Sequence, residues 1–198
     1  MTEKNVLAFD LGASSGRGML ASFDGKKINL KEIHRFPHNF SVLNGHAYWN
    51  ILSLMDEMKK GLSLCKSEIS GVGFDTWGVD CGFLSKEGEL LGIPGSYRDS
   101  ALDDQNMKEA LELLGGEEKA FAHTGIASLA YNTIYKIYYM QKTMPSLMES
   151  ANKMLLMPNL IEYFFSGVMH TEYSIASTTQ LYDMKEKKWS AYMINQLR

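Results

Sequence analysis

The chain has 198 residues, of which 45% are hydrophobic and 22% are charged, and its formal net charge is −3. This is the composition of a folded globular protein with a sizeable core, and it excludes a disordered, collagen-like or coiled-coil chain. Because 20 basic residues stand against 23 acidic ones, no basic surplus favours binding to nucleic acid. The two cysteines, Cys65 and Cys81, are too few for a disulfide framework and are best interpreted as reduced, partly buried thiols.

No apolar stretch has the length of a signal-peptide core or of a membrane span. The run 6–9 is interrupted by Asp10, and the stretch 159–169 carries Glu162 and Gly167. We therefore expect a protein without membrane contact, located in the cytoplasm.

The first third of the chain is predicted to form strands. Residues 5–11 are a continuous apolar run typical of a buried strand, small residues follow at 12–18, and a second strand resumes at 19–23. Asp24-Gly25 marks a tight turn before a third strand over 27–35. The pattern predicts an antiparallel meander. A dinucleotide-binding unit would have a helix after its glycine-rich turn. No helical pattern follows the small-residue loop here, so the sequence argues against such a unit.

The rest of the chain mixes strands with helices and predicts an α/β fold. The predicted strands cover 69–74 and 79–84, and the predicted helices cover 48–64, 102–114, 132–142, 158–165 and a last segment capped by Ser190. The buried face of the first helix is assigned to Ile51, Leu52, Met55, Met58 and Leu62. We expect a mixed sheet that opens with the antiparallel meander and is flanked by helices.

The loop after the first strand has the parts of a phosphate site. Glycine amides, the hydroxyls of Ser14 and Ser15 and the guanidinium of Arg17 can surround an anion. Asp10 ends the buried strand, where a carboxylate needs a partner, and it could hold Mg²⁺ through waters. No Gly-Lys-Ser/Thr follows, so this is not a P-loop. Loops of this composition are often simple turns, and that alternative stays open.

The segment 74–80 has the character of a sugar site. Trp77 can cover the apolar face of a sugar, the flanking carboxylates can accept hydroxyl protons, and Gly78 permits close approach of the backbone. The alternative is a hairpin corner whose tryptophan packs in the core and whose aspartates cap turns. Tyr97-Arg98-Asp99 is similar in character, and two roles are open for it. It is expected either to bind a polyol or to cap the helix that follows, with Asp99 or Ser100 as the N-cap.

Taken together, these segments resemble the FGGY family of carbohydrate kinases. The motifs that carry the resemblance are Asp10–Arg17, Glu32–Phe36, Asp75–Asp80, Tyr97–Ser100, Thr124–Ile126, Asn132-Thr133, Leu155–Pro158 and Ser177–Leu181. The opening Asp-Leu-Gly is shared by many actin-like ATPases. The Ala-Ser-Ser-Gly-Arg loop and the Thr-Trp-Gly-Val-Asp turn are more specific, and they resemble the members of the family that act on L-rhamnulose.

The resemblance implies a ribonuclease H-like (actin-like ATPase) domain. Residues 1–198 would be the N-terminal domain of a two-lobed kinase whose C-terminal domain is absent from this chain. ATP, the co-substrate, would be held through its phosphates by Ala13, Ser14, Ser15, Gly16 and Arg17, with Mg²⁺ near Asp10. A ketose sugar would lie against Trp77, Gly78, Asp80 and Tyr131.

The resemblance also implies that the catalytic aspartate belongs to the missing lobe, since no carboxylate of this chain occupies the matching motif. The expected activity is ATP-dependent phosphorylation of a ketose, with L-rhamnulose converted to L-rhamnulose 1-phosphate, and the fragment is expected to be inactive alone. Two alternatives stay open: a kinase for another ketose or polyol, such as xylulose or fuculose, and a non-catalytic interaction module on the actin-like scaffold. The cluster of Tyr135, Tyr138, Tyr139 and Met140 is interpreted as core or as lobe interface, and its exposure would favour self-association.

Overall fold

The computed structural model describes residues 3–197, so residues 1, 2 and 198 of the predicted domain lie outside the described part. The strands are β1 Lys4–Leu11, β2 Ser15–Phe23, β3 Ile28–Pro37, β4 Phe40–Leu43, β5 His46–Trp49, β6 Gly71–Thr76, β7 Cys81–Leu84, β8 Lys153–Leu156, β9 Tyr182–Asp183 and β10 Lys188–Trp189. The helices are α1 Ile51–Leu64, α2 Asp104–Leu113, α3 Glu117–Thr124, α4 Thr133–Thr143, α5 Pro145–Ser150, α6 Met157–Ser166, α7 Tyr173–Ser177 and α8 Ala191–Gln196. The described residues form two compact units: residues 3–41 with 49–77 make the first unit, and residues 42–48 with 78–197 make the second.

A four-stranded mixed sheet organises the first unit. Its order is β3-β2-β1-β6, with β1 antiparallel to β2 and parallel to β6. The predicted meander and mixed sheet are therefore confirmed. The parallel register places Asp10 opposite Asp75 and Leu11 opposite Thr76. The segments that follow β1 and β6 consequently leave the sheet at the same edge.

One face of this sheet packs against α1. Leu7, Phe9 and Leu11 alternate along β1 and are buried, as the two-residue period of a strand requires. The prediction for α1 is wrong in part, because the helix begins at Ile51 and Leu52 is 79% exposed. The buried residues of α1 are Ile51, Leu54, Met55, Met58 and Gly61, a set with helical spacing whose centre lies on Leu54 and Met58.

The second unit combines a short sheet with helices. β7 pairs antiparallel with β8, whereas β6 belongs to the sheet of the first unit. The segment 74–80 is therefore not the corner of a hairpin. The helical core of the second unit contains Tyr135, which is fully buried, in agreement with the interpretation of this residue as core.

Helix ends follow the expected chemistry with one correction. Ser190 caps α8 by accepting a hydrogen bond from the amide of Met193 at 3.3 Å, as predicted. The cap of α2 is Asp103, which accepts from the amide of Asn106 at 2.8 Å, and not Asp99 or Ser100. Between residues 3 and 197, none of the helices is both long enough and apolar enough to span a lipid bilayer.

Candidate functional site

The loop between β1 and β2 turns its carbonyl groups toward the protein. The amide of Gly12 donates to the Ser15 carbonyl at 2.9 Å, and the backbone amide of His38 donates to the Ser14 carbonyl at 3.1 Å. The His38 ring lies with Nε2 2.6 Å from the Gly12 carbonyl oxygen. Within residues 3–197, no acceptor meets the amides of Ala13 and Ser14. The loop therefore presents two donor groups to an anion, as a phosphate site requires.

His38 is the residue that holds this loop in shape. A carbonyl only accepts, so the ring must carry its proton on Nε2. Burial lowers the pKa of His38, and the hydrogen bond to Gly12 offsets part of that effect. The imidazole is therefore neutral near pH 7, and its second ring nitrogen needs no proton.

Trp77 lies beside the same histidine. The indole is half-buried, and its ring centre is 5.3 Å from the His38 ring and 4.1 Å from the ring of Trp49. The Thr76 hydroxyl donates a hydrogen bond to the backbone carbonyl of Trp77 at 2.9 Å. His38 thus contacts both the loop and the tryptophan. The predicted phosphate residues and the predicted sugar-stacking residue are brought together at one edge of the sheet.

Two carboxylates stand at this edge. Asp10 accepts a hydrogen bond from Arg17 Nε at 2.7 Å, and both side chains are close to half exposed. Asp75 is the register partner of Asp10 on the adjacent parallel strand, so both side chains project from the same face of the sheet. Among the described residues no group of three or more ligating side chains occurs. A pair of carboxylates fits Mg²⁺, which keeps several waters and completes its shell with phosphate oxygens.

Gly78, Val79 and Asp80 form a strained turn at the start of the second unit. Val79 has a φ of 64°, an outlier for a β-branched residue, and the Asp80 amide donates to the Gly78 carbonyl at 2.8 Å. A hydrogen bond from residue i+2 to residue i around a positive φ defines the rarer, strained form of the γ-turn. Strain of this kind persists only where neighbouring groups hold it.

Two threonines hold the turn. The Val79 amide donates to the Thr178 hydroxyl at 3.2 Å, and the Thr133 hydroxyl donates to the Val79 carbonyl at 2.7 Å. A Cβ atom on Gly78 would stand 3.1 Å from the Thr178 side chain, so the absence of a side chain at Gly78 permits this close approach. Both polar groups of the Val79 backbone are therefore fixed by side chains from distant parts of the sequence.

Asp80 has a different place from the one expected of a sugar-contacting carboxylate. It is 1% exposed, and it forms an ion pair with Lys136. Its Oδ2 accepts from the Tyr97 amide at 3.1 Å. A carboxylate engaged in this way fixes the position of the Tyr97 backbone. The ring of Tyr97 lies 6.0 Å from that of Tyr131, which is 40% exposed and remains available.

Sequence reasoning missed His38, Thr133 and Thr178 as positioning residues and Asp75 as the neighbour of Asp10. The two threonines lie inside segments that carry the family resemblance, which was the available signal. Nothing local to His38 indicated that its ring would reach Gly12, 26 positions away.

Comparison with known proteins identifies the family to which the sequence is similar. Residues 5–197 match the sequence model for the N-terminal domain of the FGGY family of carbohydrate kinases. The rhamnulokinase of Mannheimia succiniciproducens is 37% identical over the whole chain, and that of Pectobacterium atrosepticum is 36% identical. The chain spans only 42% and 40% of the lengths of these two relatives.

Solved structures agree on the fold. The xylulose kinase from Lactobacillus acidophilus superposes with a TM-score of 0.82 at 16% identity, covering 98% of this chain and 40% of that one. The glycerol kinase of Plasmodium falciparum, solved with ADP, gives a TM-score of 0.76 at 14% identity, covering 97% and 40%. At such identities the likeness shows the fold alone, and the predicted actin-like α/β fold is confirmed.

The chain belongs to the FGGY family of carbohydrate kinases and corresponds to the N-terminal domain of that family. The family resemblance drawn from the sequence motifs is confirmed. Within the family, the curated relatives described above are rhamnulokinases.

We predict that acid destabilises the first unit through His38. Because its pKa in the folded state is below the ordinary 6.5, the unfolded chain takes up a proton first as the pH falls. The free energy of unfolding should therefore be fully retained above about pH 6.5 and should decrease below it. Urea denaturation between pH 7.5 and 5.0 should show a smaller loss in His38→Gln, whose amide still donates to Gly12 but does not titrate. Equal losses in both proteins would contradict the prediction.

We predict an inverted order of stability at Val79. Alanine pays the cost of a positive φ, about 1–2 kcal/mol, and glycine does not. Val79→Gly should therefore be more stable than Val79→Ala, measured by urea denaturation. At Val72, an exposed position in β6 without a positive φ, alanine should be more stable than glycine by about 0.5–1 kcal/mol. The same order at both positions would show that Val79 is not strained.

Proposed function

We propose that the chain is the N-terminal part of an ATP-dependent kinase that phosphorylates a ketose, with L-rhamnulose as the first candidate. Support for the sugar comes from the rhamnulokinase relatives, which match the whole chain. Support for the nucleotide comes from the loop between β1 and β2. The observation that carries the proposal is the pair of amides, Ala13 and Ser14, that this loop leaves without acceptors within the described residues.

Phosphate binding would use the loop amides together with charged groups. In this proposal the amides of Ala13 and Ser14 and the hydroxyl of Ser15 donate to phosphate oxygens, and Arg17 exchanges its contact with Asp10 for a charge-assisted contact with phosphate. Gly16 has a structural part, because a Cβ there would stand 2.8 Å from Leu11. Donors fixed before the reaction stabilise the charge of the transferring phosphoryl group without reorganisation.

Mg²⁺ is the metal proposed to accompany ATP. Asp10, freed from Arg17, and Asp75 beside it would hold the ion's waters, and the phosphates would complete its shell. When bound, the ion supplies neutralisation of phosphate charge. Two carboxylates could hold the ion together because the register of β1 with β6 places Asp10 opposite Asp75.

Sugar recognition is proposed to use Trp77, Gly78 and Tyr131. The tryptophan and the tyrosine offer aromatic surface for the apolar face of a ketose, and Gly78 offers a backbone without a side chain. Asp80 is kept in the proposal as a positioning residue, since it fixes the Tyr97 backbone beside Tyr131.

In the proposed reaction a base removes the proton from a primary hydroxyl of the ketose. The hydroxyl oxygen forms a bond to the γ-phosphorus, the bond to the bridging oxygen breaks, and ADP leaves. The family resemblance assigns the base to the C-terminal domain. We therefore propose that residues 1–198 alone turn over negligible ketose.

Tripolyphosphate with Mg²⁺ tests the phosphate loop without needing an adenine pocket. Titration followed by ¹⁵N NMR should shift the amides of Ala13 and Ser14. Arg17→Leu should weaken binding roughly tenfold or more, the size expected for a hydrogen bond to a charged group. Arg35→Leu is the matched control, because Arg35 is the cross-strand partner of Arg17, carries the same charge and pairs with Glu32. Unchanged loop amides, or equal losses in both variants, would refute the phosphate site.

Sugar selectivity and turnover are measured separately. In a thermal-shift series, L-rhamnulose should stabilise the chain more than xylulose or fuculose, and Trp77→Ala should abolish the difference. A coupled assay for ADP release should detect turnover only when the chain is extended to the length of its relatives. No stabilisation by any ketose would favour a non-catalytic module, and turnover by residues 1–198 would disprove the assignment of the base.

A further inference from the structure

A cavity lies wholly within the second unit. Its volume is about 330 Å³, close to the lower end of the range of ~300–1,000 Å³ typical of small-molecule sites. It is enclosed mainly by apolar side chains: Phe83, Leu91, Leu102, Met140, Met144 and Leu147. Within residues 3–197, none of the residues proposed above to contact phosphate or sugar lines it.

The charged groups that reach this cavity are already paired. Lys136 forms its ion pair with Asp80, and His46 Nδ1 lies 3.2 Å from Asp99 Oδ2. Asp99 also accepts from the amide of Ala47 at 3.0 Å. A charged ligand would lose its hydration and find no free counter-charge among these groups. The cavity therefore favours a neutral molecule.

Hydrogen-bond donors are nevertheless left over at its wall. The ammonium group of Lys136 carries three N–H groups. One meets Asp80 and a second meets the Gly95 carbonyl at 3.0 Å, and no acceptor in the described part of the chain meets the third. The side chain of Lys136 is only 5% exposed, so this third donor is removed from bulk water. The hydroxyl of Tyr139, also in the wall, likewise has no partner between residues 3 and 197.

We propose that this cavity binds a small, neutral, mainly apolar molecule whose carbonyl or ether oxygen accepts a hydrogen bond from Lys136, with Tyr139 as a second donor. The apolar wall supplies the burial of the ligand body, and the two donors fix its orientation. A ligand with an acceptor satisfies donors that have no other partner among the described residues. The inference goes beyond the proposed kinase function and does not depend on it.

Cyclohexanone is a suitable probe, since it combines a neutral apolar ring with one carbonyl oxygen. Methionine labelled with ¹³C in its methyl group gives a direct readout, because Met140 and Met144 line the cavity whereas Met55 and Met58 belong to the first unit. Titration should shift the methyl signals of Met140 and Met144 and leave those of Met55 and Met58 unchanged. The ¹⁵N signal of the Lys136 ammonium should move with the same dissociation constant.

Variants and charged analogues complete the test. Met144→Trp should fill the cavity and abolish the shifts, and Tyr139→Phe should weaken binding about two- to tenfold. Tyr138→Phe is the matched control, because its hydroxyl contacts Glu109 outside the cavity at 3.3 Å, and it should leave binding unchanged. Cyclohexanecarboxylate and cyclohexylammonium should bind far more weakly than cyclohexanone.

Four results would overturn the proposal. They are the absence of shifts at Met140 and Met144, shifts that survive in a folded Met144→Trp variant, methyl shifts without any change at Lys136, and equal binding of the charged analogues. The variants and the wild type can be checked for folding by their Met55 and Met58 signals, so loss of binding is separated from loss of structure.

Discussion

The parallel pairing of β1 with β6 determines where the polar groups of the first unit stand. Antiparallel partners would have put the ends of these strands on opposite edges, and the loop after β1 would then be far from Trp77. In the observed register, Asp10 faces Asp75, and the segments that follow both strands emerge together. His38 then links the two segments by bonding to Gly12 and stacking on the indole. The phosphate loop and the tryptophan depend on this single pairing for their proximity.

The turn at Val79 shows a second constraint, in which unfavourable backbone geometry is stabilised by side chains. Thr133 and Thr178 satisfy both polar groups of Val79, and Asp80 is fixed by Lys136 directly afterwards. The conformation of Gly78 therefore depends on residues from α4 and from the end of α7 as well as on its own sequence. Positions so far apart in the chain become coupled through the amide and the carbonyl of Val79.

The sequence predicted the class of fold, because the buried first strand, the Asp24-Gly25 turn and the following strand specify a meander through local chemistry. The motifs of the loop and the turn also indicated the family, which the match to its N-terminal domain confirms. The sequence did not predict the contact of His38 with Gly12 or the burial of Asp80, since both depend on tertiary pairing that no local pattern encodes. Leu52 was misplaced for a related reason. The apolar spacing of α1 permits two faces, and packing against Phe9 selects the one that contains Gly61.

The ion pair between Lys136 and Asp80 has a consequence for how this sequence can diverge. Removal of one partner from a buried pair costs about 3–5 kcal/mol, because the remaining charge stays desolvated. Natural domains have only about 5–15 kcal/mol of stability, so either single replacement brings the fold close to its limit. The two positions are therefore expected to change together during evolution, because a protein that had replaced only one partner would be less stable than either the original or a protein with both replaced.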